Sequence, residues 1–126
     1  MKHVPWITAV LFAAPLLAMA PAAAAQDSMA VAPQFHKVLL ENDKVRVLEV
    51  TLKPGDKIPM HSHPGGYVAY ALVDSKTRFT GADGKSVERE MKAGQPVWSD
   101  AVTHMAENIG TTAGKVIVFE LKVPKP

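Results

Sequence analysis

At 126 residues the chain has room for one domain, and a formal charge of +2 without any lysine or arginine cluster gives nucleic-acid binding no footing. Cysteine is absent, which excludes disulfides, thiolate metal ligands and a lipidated N-terminal cysteine. A domain of this size without cross-links depends on its core, helped by a partner subunit or a bound metal.

The first residues differ in kind from the rest. Lys2 and His3 precede an apolar run over residues 6–20, and Pro21 with four alanines leads to Gln26-Asp27. A short positive region, an apolar centre and small residues before a polar start make a secretory signal. Ala23 and Ala25 meet the small-x-small rule, so cleavage is expected after Ala25. The run is short for a membrane span and carries Pro15, so no stable anchor is expected after cleavage. This makes the protein periplasmic or secreted. Residues 26–34, with small side chains and Pro33, read as a flexible leader. The folded domain is then residues 35–126, with His36, His61, His63 and His104.

From Phe35 onward, short apolar runs alternate with turn residues. Residues 35–41 read as a strand closed by Asn42-Asp43. Residues 44–53 form the next. Here Val45 and Val47 hold one parity while Leu48, Val50 and Leu52 hold the other, which predicts a bulge or a change of face. After Pro54-Gly55 come His61 and His63, at the expected start of a strand, where alternate side chains share a face and can aim at one point. Residues 67–73 follow as an apolar strand. Residues 77–80 and 86–90 flank Asp83-Gly84, a hairpin signal. Beyond a turn at Gly94, Pro96-Val97-Trp98 leads to Asp100, and residues 103–109 form a further strand. In residues 115–123, Val116, Val118, Glu120 and Lys122 oppose Ile117, Phe119, Leu121 and Val123, and the charges assign the Ile117 row to the core. No helical period persists for three turns. Eight or nine short strands with turns about every 8–12 residues predict an all-β sandwich or barrel.

The histidines sit in recognisable surroundings. Gly55, five residues and then His61-x-His63 resemble the first motif of the cupins. Gly94 opens a stretch ending in His104-Met105-Ala106-Glu107-Asn108, which resembles the His-x3-Asn close of the second. The resemblance spans residues 45–121 and implies a jelly-roll barrel (a double-stranded β-helix) with ligands inside its mouth. Two departures stand out. Tyr67 occupies the place of the usual glutamate ligand, and Asp100-Ala101-Val102 replaces the internal Pro-x-Gly of the second motif.

Three neutral imidazoles, His61, His63 and His104, suit one divalent iron, zinc, copper or nickel ion, and the missing carboxylate disfavours manganese. Three protein ligands leave positions open for a small molecule. Relatives in the cupin family with three-histidine iron sites oxidise thiols or cleave diketones, so the resemblance implies oxygenase-type chemistry. A non-catalytic module that binds a small ligand or metal is the alternative, and a barrel with remnant histidines a third. Tyr67, Trp98 and Asn108 are candidate pocket residues, and His36 is expected to be structural or exposed. Ser62 lies on the opposite face from both neighbouring histidines and no Gly-x-Ser-x-Gly elbow is present, which excludes a serine hydrolase. A homodimer is expected, because a jelly roll leaves strand edges to cover.

Overall fold

The computed structural model describes residues 26–126. The expected signal segment and its cleavage point lie outside them.

Nine strands run β1 (His36–Glu41), β2 (Val45–Leu52), β3 (Lys57–His63), β4 (Tyr67–Ala71), β5 (Ser75–Gly81), β6 (Ser86–Met91), β7 (Pro96–Ser99), β8 (Val102–Asn108) and β9 (Gly114–Leu121). They form a five-stranded sheet, β1-β2-β9-β4-β7, and a four-stranded sheet, β3-β8-β5-β6, with all pairs antiparallel. From β2 to β9 the chain changes sheet at every step except the β5–β6 hairpin, where Asp83-Gly84 turns with Gly84 at φ +81°. This winding is that of a double-stranded β-helix, the jelly roll expected from the sequence.

The core lies between the sheets. Leu48, Val50 and Leu52 of β2, Ala69 and Ala71 of β4 and Val118 of β9 meet Ile58 and Ala106 from the other sheet. Each set alternates along its strand, so the polar backbone is spent in the ladders while one face is dry.

Three expectations are corrected. Residues 26–34 are not a flexible leader: Ser28–Val31 form a helical turn, α1, and Pro33–Phe35 a 3-10 turn, and Ser28 and Ala32 are buried. Asp27 caps the turn by accepting from the Met29 amide at 2.9 Å. Next, β2 has no bulge. It pairs with β9 in unbroken register from Val45–Leu121 to Leu52–Gly114, with Arg46 in the inward row and Val45 and Val47 outside. Finally, β9 faces the other way from its expectation. Val118 and Glu120 are buried, whereas Phe119 and Leu121 are exposed.

The last two corrections share one cause. Arg46 and Glu120 are register partners on adjacent strands, and both point inward. Charged side chains go inside when they are paired there, and each supplies the partner the other needs.

Candidate metal centre

The two histidines of the first motif close β3 rather than open it. β3 is an edge strand, the position that tolerates Pro59. Against β8, its register moves by one residue between Ile58 and His61. This bulge puts Ile58, His61 and His63 on one buried face although Ile58 and His61 are an odd number of residues apart. It also brings the Pro59 carbonyl within 2.7 Å of His61 Nδ1. His104 stands directly across from His61 in the β3–β8 ladder. Opposed residues on one face hold their Cβ atoms about 5 Å apart, so the ladder itself sets this pair.

His61, His63 and His104 are 2%, 7% and 6% exposed, and one ring nitrogen from each lies within 4.8 Å of the others. Ring centroids are 4.9 Å apart for His61–His63, 4.8 Å for His61–His104 and 5.3 Å for His63–His104. Phe79 stacks on His104 at 5.0 Å and 28°.

The outer nitrogens fix which atoms remain. A carbonyl can only accept, so His61 Nδ1 carries the proton it donates to Pro59, and its Nε2 keeps a free lone pair. His63 Nδ1 donates in the same way to Glu120 Oε1 at 2.8 Å. Glu120 Oε2 accepts from Arg46 Nε at 2.7 Å, and the Arg46 guanidinium also grips the Asp27 carboxylate. The chain Asp27–Arg46–Glu120–His63 thus joins the N-terminal segment to the site. A carboxylate behind a histidine orients the ring and raises its basicity as a metal ligand.

Electrostatics favour the neutral donor form. Burial pushes the His104 imidazole down to about 3, with the His61 and His63 rings adding to the effect. Burial also lowers His61, against the Pro59 hydrogen bond that raises it. Burial would raise the Glu120 carboxyl, but the His63 hydrogen bond and the Arg46 guanidinium hold it below its ordinary range. Three converging imidazoles therefore fit one divalent ion.

The other candidates separate. Tyr67 is buried, with its ring 4.5 Å from His63, and burial raises its phenol while a hydrogen bond with Ser99 opposes that. It forms a wall of the site. Asn108 is 2% exposed and borders the cavity, yet its amide is fully used: Nδ2 donates to the carbonyls of Leu52 and Thr112, and Oδ1 accepts from the Gly110 amide. It pins strand ends. Trp98 does not reach the cavity. It lies 53% exposed on the outer face, paired with Val68, and its indole N–H donates to Asp100. Its parity in β7 is opposite to that of the wall.

Two participants were missed. Glu120 and Arg46 looked like surface charges in isolation, and the legible signal was the single inward row Arg46-Leu48-Val50-Leu52. His36 was expected to be structural or exposed. It is half-buried, bonds the Ala32 carbonyl through Nδ1 at 2.7 Å and borders the cavity. That cavity, about 90 Å³, lies among the three histidines, Tyr67, Phe79 and Met91.

No protein-family model matches the chain, and no curated protein matches it. Solved structures do. A cupin domain from Bordetella pertussis Tohama I is similar at 24% identity with a TM-score of 0.64, over 70% of this chain and 92% of that one. A double-stranded β-helix protein from Klebsiella pneumoniae is similar at 22% identity and a TM-score of 0.56, over 68% and 70%. An RmlC-like cupin from Methanocaldococcus jannaschii is similar at 17% identity and a TM-score of 0.56, over 68% and 77%. The chain has the cupin fold, with three buried histidines able to bind a metal inside it.

Proposed function

We propose that the protein is an exported cupin that binds one divalent iron, zinc, copper or nickel ion through His61, His63 and His104 and acts on a small molecule at the open coordination positions. The convergence of three buried imidazoles within 4.8 Å carries this reading. The bound ion would supply Lewis-acid or oxygen-activating chemistry. The chain's own contribution is to hold the imidazoles as neutral donors, to orient His63 through Glu120, and to keep the site dry behind Tyr67 and Phe79. An oxygenase-type reaction suits this arrangement, since three protein ligands leave coordination positions open for a small molecule and dioxygen. The secretory-signal pattern in the sequence of residues 1–25 supports export.

Oxygen uptake by the iron-loaded protein with a panel of thiols, diketones and phenols tests the reaction. Turnover that His104→Ala abolishes supports it. Tight binding of a panel member without oxygen uptake favours the second reading, a non-catalytic binding module. That reading draws support from the lack of an acid/base pair: Glu120, the charged carboxylate against the histidines, is fully engaged by His63 and Arg46.

A homodimer belongs to the same proposal. Leu40, Val47, Phe119, Val68 and Trp98 are successive register partners, forming one apolar row across all five strands of the outer face. A row that wide spans about 20 Å. A second copy presents the same flat row, so two-fold packing covers both at once. Sedimentation equilibrium should give a dimer that Phe119→Lys dissociates, and a monomer at all concentrations contradicts it.

A further inference from the structure

The inner row of β6 runs Val87, Arg89, Met91, and its register partners on β5 are Phe79, Thr77 and Ser75, which all border the cavity. Partners in register share a face, so the β6 row also points inward. Its burial changes along its length. Met91 is 7% exposed and closes the wall, whereas Val87 is 59% exposed and Arg89 is exposed with it. The opposite sheet does not cover those two positions. The barrel is therefore shut at Met91 and open beside Phe79, the half-buried ring that stacks on His104.

Arg89 is the cation of this opening. Many exposed arginines are merely solvated, and what sets this one apart is its place. Its guanidinium carbon lies 5.9 Å from the Phe79 ring centroid, and it makes no ion pair or side-chain hydrogen bond among the described residues. The neighbouring Glu88 and Glu90 belong to the outer row, where Glu88 is engaged by Lys76 and Arg78. Burial sets the directions at His104 and Tyr67, lowering the imidazole and raising the phenol. The Arg89 charge adds to the first and opposes the second, so its field reaches two walls of the site.

Size and shape narrow what such a group would meet. A cavity of about 150 Å³ holds benzene, so one of about 90 Å³ takes roughly four heavy atoms. A longer molecule leaves its remainder at the opening, beside Arg89. A guanidinium against an aromatic ring keeps its edge donors free, and their planar fork matches a carboxylate.

We propose that Arg89 is an anion-binding residue at the mouth of the cavity, and that the molecule taken up is a small carboxylate whose charged end rests on Arg89 while its other end faces the three histidines. The proposal rests on the metal-centre reading for what that inner end meets, and on the uncovered β6 row for the place of the charged end. Arg89 then selects the substrate by its charge and length.

Succinate is the probe, titrated by calorimetry into zinc-loaded protein, because one carboxylate can enter the cavity while the other stays at Arg89. Saturable binding of one succinate per chain is expected. Arg89→Gln should weaken it about tenfold, the scale of one charge-assisted hydrogen bond. Arg89→Lys keeps the charge without the fork and should recover part of that loss. Butyrate, which lacks the second carboxylate, should bind the parent and Arg89→Gln alike, with zinc affinity by chelator competition unchanged. Equal succinate affinity in Arg89→Gln, an equal loss for butyrate, or no saturable succinate binding with zinc bound overturns the proposal. If the protein takes up no zinc, the metal reading fails on its own. The metal-free titration then decides: succinate binding that Arg89→Gln removes sustains the arginine site, and its absence overturns it.

Discussion

Glu120 does two jobs with one carboxylate: Oε1 orients His63, and Oε2 neutralises Arg46. Removing its charge leaves a guanidinium with only 16% side-chain exposure facing Asp27 alone. Glu120→Gln should therefore weaken metal binding about tenfold to a hundredfold, the usual effect of losing a carboxylate behind a ligand histidine. It should also cost roughly 3 kcal/mol of stability in denaturant unfolding, because breaking a buried pair strands the other charge. Unchanged values for both would place Glu120 outside the site's support. The same two residues show why the sequence misled. His61, His63 and His104 were legible because imidazole is a ligand type and their spacing resembles known motifs. Glu120 and Arg46 were not, because a charge is inward only if its partner is found, and the partner lies on a strand more than seventy residues away.

Strand existence was legible, because apolar runs and Gly, Pro and Asp turns punctuate the chain from Phe35 onward. Strand facing was less so. Val45 and Val47, read with their parity as a bulge, are outward apolar residues on β2, while the register shifts lie in its neighbour β1, between Val38 and Leu40, and in β3, between Ile58 and His61. Periodicity records which residues are apolar, and the outer face of the five-stranded sheet is apolar too. The short segment 26–34 escaped for a related reason, since one helical turn has no period to detect. Between β3 and β4 the turn is tightly seated. A Cβ on Gly65 would sit 2.0 Å from the Leu121 carbonyl oxygen, a backbone atom that cannot swing aside. Gly65→Ala should then cost roughly 3 kcal/mol, read as a lower unfolding midpoint, and weaken metal binding by moving His63. A neutral substitution there would show that the turn gives way freely.

Across the whole molecule, burial of the histidines couples stability to pH. His104 titrates near 3 when folded but near 6.5 when unfolded, so between those values the unfolded chain holds the extra proton. The stability of the metal-free protein is complete above about 6.5 and falls as pH drops towards 3. His61 and His36, also lowered by burial, act in the same sense, and the lowered Asp27 and Glu120 carboxyls add to it below about 4.5. Thermal unfolding of chelator-treated protein from pH 7.5 to 4.5 should show a steadily falling midpoint. A flat or rising profile contradicts the burial of these rings.

The central claim is that three imidazoles brought together by β3 and β8 hold a metal ion. Elemental analysis of untagged protein, before and after zinc addition, tests it most directly. One metal per chain is predicted in the parent protein, with none retained in His104→Ala at comparable folded content. No bound metal and no uptake on addition would contradict it.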